Sequence, residues 1–483
     1  MQTGSMITPL EVKKIPGFIG RQYELSQLEK IGSAGEPSII IMHGRRRVGK
    51  TALLERAFRS RNILKFEGIE GAGKEIQIET CVKQLSEYAT NDPSIKHLKF
   101  NRWLDFFNCI ADYVSKGKWT LYFEELQWLA CHDDEFISEL KHAWDNKLKN
   151  NPSLLVILCG SSPSFMIESV VRSKALYNRS QHEMPLQPFS LKETHDFLGV
   201  GKSRNEVLDA YLTVGGIPEY LKYIKRDSSI FLGLCRNSFL PGSFFAHEYD
   251  RIFTSSLAVR PEYKKIIRFL GVRKYASRND LLGHLKTDSG GTVSKLLEDL
   301  RLCGFADRYS SFTQKNPEYR SRFVISDPYL NFYHKFIEPV LVRIAHGDFR
   351  QNPCRAIQHD SYRKWLGHAF ERFCRKENAL IADRLGFGAV SYRSGAYFSK
   401  DDAACQIDLV FERQDRVYTV CEIKYTGTET GKPVIRDFEK KLAFFKAKRY
   451  SIHKVLVTPN GADKSLGQSH YFDDILTMDD FFA

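Results

Sequence analysis

A chain of 483 residues exceeds what one hydrophobic core organises and leads us to expect about three domains. Its 42% hydrophobic content excludes global disorder, and no run of eighteen apolar residues or charged-apolar-small leader is present, so a cytoplasmic protein with no membrane partner is expected. The formal net charge of +13 favours a polyanionic partner, DNA or RNA first, over the alternative of a merely solvated basic surface.

The ten cysteines form no C-x-x-C pair, which argues against a zinc knuckle and fits a reduced compartment. In chain order, Phe18-Ile19-Gly20-Arg21 opens a loop before an amphipathic helical pattern that runs to Leu28. The apolar run Ile39-Ile40-Ile41-Met42 then feeds His43-Gly44-Arg45-Arg46-Arg47-Val48-Gly49-Lys50-Thr51, and a helix is expected over 52–58. Strand, Gly-x-x-x-x-Gly-Lys-Thr loop and helix, in that order, is the context a phosphate-binding loop requires. Gly44 and Gly49 let backbone N–H groups converge on phosphate oxygens, and the helix N-terminus adds its positive end. Lys50 is expected to reach the β- and γ-phosphates of ATP and the Thr51 hydroxyl to ligate Mg²⁺. Arg47 and Ala52 belong to the same cradle.

Lys118 to Glu125 reads as an apolar strand ending in two carboxylates. Ligands of a doubly wound sheet sit at the carboxyl ends of its strands, so both acids are expected near the γ-phosphate. Glu124 takes the Mg²⁺-holding position and Glu125 the position of the general base for water. The next strand, Ser153 to Gly160, ends in Ser161-Ser162, where a hydroxyl either senses the γ-phosphate or caps the following helix. Arg179 offers a cation to developing phosphate charge or joins a structural ion pair. Val214-Gly215-Gly216-Ile217-Pro218-Glu219-Tyr220-Leu221 reads as a turn into a helix.

Together, Phe-x-Gly-Arg-x-x-Glu-Leu, Gly-Arg-Arg-Arg-Val-Gly-Lys-Thr, the strand with its acids, Gly-Ser-Ser, Leu-Tyr-x-Arg and Gly-Gly-Ile-Pro-Glu-Tyr-Leu resemble the archaeal-type prokaryotic ATPases of the AAA+/STAND group. The resemblance spans roughly residues 16–240. It implies nucleotide contacts from Arg21 and Pro218 and a nucleotide-dependent homo-oligomer. The family usually carries Asp-Glu where this chain has Glu124-Glu125; the longer Glu124 side chain still reaches a metal-bound water.

Residues 260–312 read as three short helices and a hairpin, the pattern of a winged helix in a middle domain spanning 241–345. Its third helix carries Lys295 but also Glu298 and Asp299, so DNA contact and a packing role both stand open. The aromatics of Ser326 to Tyr333 are expected in the core.

Beyond Pro353 a second constellation begins. Gln406 to Phe411 is a strand with Asp408 among apolar residues, and a turn leads to a second strand, Val417 to Lys424. Alternation sets Glu422 and Lys424 on one face, and the hairpin brings Asp408 beside them. Two carboxylates and a lysine on one sheet face suit metal-assisted phosphodiester hydrolysis, with Asp408 and Glu422 holding Mg²⁺ and Lys424 placing or activating water. The pattern resembles the PD-(D/E)xK nuclease core and the nuclease-like domain of unknown function fused to archaeal-type ATPases. The resemblance adds Glu371, on a first helix around 367–373, to the metal site. Lys440, Lys441 and Lys446, on a helix over 435–446, become phosphate contacts. The expected architecture is therefore α/β: a P-loop parallel-sheet ATPase over 16–240, a helical winged-helix middle over 241–345, and an α/β restriction-endonuclease-like domain over 350–483. The expected activity is an ATPase that regulates a fused Mg²⁺-dependent DNA nuclease; the alternative is a STAND-like switch whose C-terminal domain is a binding module.

Overall fold

A computed structural model describes residues 8, 10, 17–89, 92–131, 133–177, 179, 181–199, 201–257, 260–287, 290–309, 321–398, 406–445, 447 and 449–482. Asn178 of the Leu-Tyr-x-Arg motif, the hairpin tip at 310–312 and Lys446 lie outside the described residues. The chain divides into two compact units, one of residues 1–188 with 252–259, the other of 189–251 with 260–483. Among the described residues no helix is long and apolar enough to cross a membrane.

The first unit is built on five parallel strands: β1 (Ser38–His43), β2 (Asn62–Glu67), β3 (Trp119–Glu124), β4 (Leu155–Gly160) and β5 (Gln181–Pro185). Their order is β2-β3-β4-β1-β5, so β4 lies between the strand of the glycine loop and the strand of the acids. β1 and β4 are buried along their whole length, as parallel strands covered on both faces must be. Alternation divides β1 between two cores. Ile39 and Ile41 join Phe66, Phe106, Phe107 and Phe123 on one face. Ile40 and Met42 meet Leu53, Leu54 and Phe58, which belong to the helix Lys50–Phe58, on the other. That two-sided burial holds the end of β1, and hence the start of the loop, rigidly.

The second unit starts with the helices Leu191–Leu198, Arg204–Val214, Pro218–Ile224 and Ile230–Phe239. The first two begin at Ser190 and Ser203, each in a reciprocal capping box with Glu193 and Glu206. A three-helix segment follows (Pro261–Gly271, Arg278–Leu285, Gly290–Leu302), then the antiparallel pair β6 (Ala306–Tyr309) and β7 (Arg322–Ile325). A Ser277–Asp280 capping box opens the second of these helices. Asp299 faces the helix packing, where it accepts a 2.6 Å hydrogen bond from Tyr263. Tyr329, Leu330 and Phe332 are fully buried.

The C-terminal segment begins with the helix His359–Lys376 and forms a mixed sheet ordered β12-β11-β10-β9-β8. Here β8 (Tyr392–Phe398), β9 (Gln406–Arg413) and β10 (Val417–Ile423) run as an antiparallel meander. The helix Pro433–Phe444 then crosses over to β11 (Ser451–Val457), which lies parallel to β10 and carries β12 (Asp474–Leu476) on its far side. The helix starts at Pro433, two residues before the sequence pattern indicated, because proline suits a first helical turn whose N–H groups have no intrahelical acceptor.

Candidate functional site

The glycine loop is shaped by its backbone. Gly49 takes a left-handed φ of 96° at the cap of the helix Lys50–Phe58. Gly44 comes so close to the chain after β5 that a Cβ there would lie 2.4 Å from the Leu186 carbonyl oxygen. Arg47 is also left-handed, at φ 69°, a conformation that costs a non-glycine residue roughly 1 kcal/mol or more and needs a constrained loop to hold it. Lys50 is buried and donates to the Gly44 carbonyl at 2.8 Å and the Arg45 carbonyl at 3.2 Å, bridging the loop from inside. Arg21 braces the loop from the other side, donating to the Val48 carbonyl at 3.1 Å and pairing with Glu24 at 3.3 Å. Ala52 sits in the first turn of the helix, beside Thr51.

The acids arrive from β3. Glu124 ends the strand: one carboxylate oxygen accepts from the Thr51 hydroxyl, and the other pairs with Lys65 of β2. Burial lowers the Lys65 pKa, but the charge and hydrogen bond of Glu124 outweigh it, and the ammonium is held above its usual range. Glu125 turns into a left-handed φ of 52°, which frees its side chain from the strand direction. Its Oε2 accepts from Ser161 at 2.6 Å and from Gln127 at 2.8 Å, and Gln127 also donates to the Ser161 hydroxyl at 3.1 Å. Ser161 therefore belongs to the acid network at the end of β4. Ser162 is the N-cap of the short helix Pro163–Phe165, with no side-chain cap bond.

Thr51, Glu124, Lys50 and the loop N–H groups form the donor and acceptor set that an Mg²⁺–nucleotide requires, and Glu125 is held beside them. Lys65 and Gln127 were missed by sequence reading. The signal for Lys65 was a lysine between Leu64 and Phe66 in a strand; Gln127 had none. Arg179 takes the structural alternative, with its Nε 3.1 Å from Asp145 in a cluster that also includes Lys141. Pro218 lies in the second unit, at the first turn of its helix. The preceding Gly216 is pressed to the backbone of Phe189, where a Cβ would meet the carbonyl oxygen at 2.0 Å.

The second site stands on the meander. The β9–β10 ladder ends at the pair Cys421–Leu409, and strand alternation puts the neighbouring residues Glu422 and Asp408 together on the other face of the sheet. Both residues are buried. Glu422 is gripped at both oxygens by Lys441 (2.6 and 2.9 Å), and Lys424 approaches it to 3.1 Å. Asp408 accepts from Gln406 at 2.8 Å and lies 3.5 Å from the Arg375 guanidinium. Burial, then the charge of Glu371, raises the Asp408 pKa, against the pull of Arg375 and Lys441. Burial pushes Glu371 upward too, but His368 at 3.5 Å, Arg375 and Lys274 more than reverse it, so Glu371 is the more acidic member of the pair.

Lys424 thus meets Glu422, while Asp408 is linked to Glu422 through Lys441, on which both carboxylates act. Among the described residues, however, no group of three His, Cys, Asp or Glu side chains is arranged to hold a metal ion. Glu371 is held by His368 at the edge of the site, and two carboxylates are what Asp408 and Glu422 offer an Mg²⁺ ion. Lys440 is exposed. Sequence reading missed Arg375 and Gln406; Arg375 was detectable as the cation one helical turn after Glu371.

Residues 18–224 match the model of an ATPase domain found predominantly in Archaea. Over 465 residues the chain is 25% identical to an uncharacterized protein of Methanocaldococcus jannaschii, across 94% of this chain and 99% of that one. It is similar to a Walker-type ATPase of Pyrococcus abyssi, at 18% identity and TM-score 0.49, over 68% of this chain and 100% of the other. It is also similar to the ORC2 protein of Aeropyrum pernix in ADPNP–ADP complexes, at 13% identity and TM-score 0.45, over 71% and 96%. Over residues 18–224 the chain is thus similar to ATPase domains of archaeal type.

Proposed function

We propose that the protein is a nucleotide-controlled, Mg²⁺-dependent nuclease acting on nucleic acid, DNA first. The observation that carries the reading is the set of Asp408, Glu422 and Lys424 on one sheet face, in a chain that also carries a complete P-loop. In the ATPase domain, Lys50 and the loop N–H groups bind the triphosphate, Thr51 and Glu124 hold Mg²⁺, and Glu125, poised by Ser161 and Gln127, orients and deprotonates water. In the C-terminal site, Asp408 and Glu422 hold the second Mg²⁺, which supplies charge neutralisation at the scissile phosphate. Lys424 positions or activates the attacking water, and the net charge of +13 draws the polyanion in.

Control by nucleotide has a physical basis in the helix Arg204–Val214, which lies inside the segment matched by the ATPase model. Its Asp209 accepts a hydrogen bond from Tyr425, the residue after Lys424, and pairs with Arg363 at 3.5 Å. Its Thr213 hydroxyl meets Tyr362 at 2.7 Å, on the same helix that carries Glu371. A shift of this helix therefore acts on both ends of the acidic site. The three-helix segment with the β6–β7 hairpin fits a winged helix, read as a packing module because Asp299 of its third helix is committed to Tyr263.

The test is plasmid cleavage with Mg²⁺, with and without ATP, by wild type and by the Asp408→Ala, Lys424→Ala double variant. Cleavage that the double variant lacks supports the reading; identical behaviour of the two proteins ends it. A second reading is a STAND-like switch with a C-terminal binding module, favoured by the full engagement of Glu422 with lysines. It predicts a nucleotide-dependent oligomer on size exclusion, with ADP and a non-hydrolysable ATP analogue giving different profiles, and no cleavage.

A further inference from the structure

Glu422 is 1% exposed, yet two ammonium groups reach it from different elements: Lys424 from the end of its own strand and Lys441 from the helix Pro433–Phe444. Lys441 makes the closer approach, to both oxygens at 2.6 and 2.9 Å. The field of Lys441 extends over the whole acidic group, since Asp408 and Glu371 also act on it electrostatically. Three carboxylates, Glu371, Asp408 and Glu422, thus stand among the cations Arg372, Arg375, Lys424 and Lys441, with Lys274 also acting on Glu371, so their charge is already fully balanced. Adding a divalent cation to a balanced, buried cluster is unfavourable unless a resident cation leaves, because uncompensated buried charge is costly in either sign.

Lys424 directly follows β10, and its backbone N–H is held by the Val457 carbonyl at 2.9 Å. Both ammonium groups reach solvent, Lys424 at 34% and Lys441 at 25% exposure, but Lys441 grips both oxygens of Glu422 from a separate helix, so a divalent cation that takes this carboxylate has to displace it. We infer that Lys441 is the exchangeable counter-ion of the C-terminal site: it holds Glu422 in place and gives up the carboxylate when a divalent cation binds, so it sets the Mg²⁺ concentration at which the site fills. This inference rests on the reading of Asp408 and Glu422 as Mg²⁺ ligands.

The test is Mg²⁺ calorimetry on the full chain without nucleotide, taking as the C-terminal signal the part that Asp408→Asn removes. Lys441→Met, which keeps side-chain length and helix propensity, is expected to bind Mg²⁺ several-fold more tightly than wild type. Its melting temperature without Mg²⁺ is expected below that of wild type, and Mg²⁺ raises it by more. Lys440→Met removes the same charge from the exposed neighbouring position and is expected to match wild type, while Lys441→Arg restores the wild-type affinity. Equal or weaker Mg²⁺ binding by Lys441→Met overturns the inference, as does an equal gain in Lys440→Met. If Lys441→Met does not fold, the same comparison is made with Lys441→Gln. Binding without any nucleic-acid cleavage by wild type would sink the nuclease reading alone. No Asp408-dependent Mg²⁺ signal in any of the proteins would sink both.

Discussion

The glycine loop and the proposed C-terminal site of this chain are made in opposite ways. In the glycine loop the working groups are backbone N–H donors, and the decisive residues act by what they lack: Gly44 has no Cβ to strike Leu186, and Gly49 accepts a left-handed φ. In the proposed C-terminal site the groups are side chains, with Asp408 and Glu422 on one face of the β9–β10 pair by strand alternation and Lys441 brought to them by a crossover helix. The loop is contiguous in sequence and rigid from both cores. The acidic cluster is assembled from distant elements and balanced charge by charge. A backbone site fails when its shape is disturbed; a charge-balanced site changes its affinity while the fold persists.

The largest effects expected from that contrast fall on the loop. Lys50→Ala removes a buried cation from the phosphate cradle and should weaken ATP binding by about 100-fold or more, as loss of a charge-assisted contact of ~3 kcal/mol implies; fluorescent-nucleotide titration measures it. Gly44→Ala should damage the same site by shape alone, lowering the melting temperature as well, because the clash is with backbone and has no side chain to yield. An unchanged Gly44→Ala protein would break the claim that this site is a backbone device. Next in size, Glu125→Gln should leave nucleotide affinity near that of wild type and slow hydrolysis by roughly 10²–10⁴, the usual worth of a general base.

At the acidic site, Asp209→Ala should remove the dependence of cleavage on nucleotide while leaving Mg²⁺-dependent cleavage itself within a few-fold, since Asp209 touches Tyr425 and Arg363 and not the carboxylates. Cleavage assays with and without ATP read the difference. The smallest effect is on stability. Burial holds the Asp408 pKa above its unfolded value, so the native state favours the protonated form. The stability it contributes is present below the unfolded pKa and is lost as pH rises through the folded one. Asp408→Asn should therefore raise the melting temperature at pH 7 without Mg²⁺, and the gain should vanish at pH values below the usual carboxylate range.

Sequence reached the two sites unequally for the same reason. The P-loop was legible because its chemistry is encoded in spacing: two glycines, a lysine and a threonine between a strand and a helix. Asp408, Glu422 and Lys424 were legible because the period of a strand fixes which residues share a face. Lys65 and Gln127 lay hidden because each has a partner far along the chain, Glu124 and Ser161 respectively, and only the sheet order brings them together. Lys441 stood in the sequence as a phosphate contact, but its grip on Glu422 depends on how the helix Pro433–Phe444 lies over β10. Residues 189–251 read as the end of the ATPase domain, yet they cluster with the C-terminal half because Asp209, Thr213 and Tyr211 pack on the helix His359–Lys376 and its surroundings.

The account joins a nucleotide site to a cutting site, and its most direct test is the initial rate of Mg²⁺-dependent cleavage of single-stranded DNA, double-stranded DNA and RNA, measured with ATP, with ADP and without nucleotide. The account predicts that at least one substrate is cut, at a rate that changes several-fold with nucleotide in wild type, and that Asp408→Ala cuts none. Cleavage that is indifferent to nucleotide, or that survives Asp408→Ala, would contradict it.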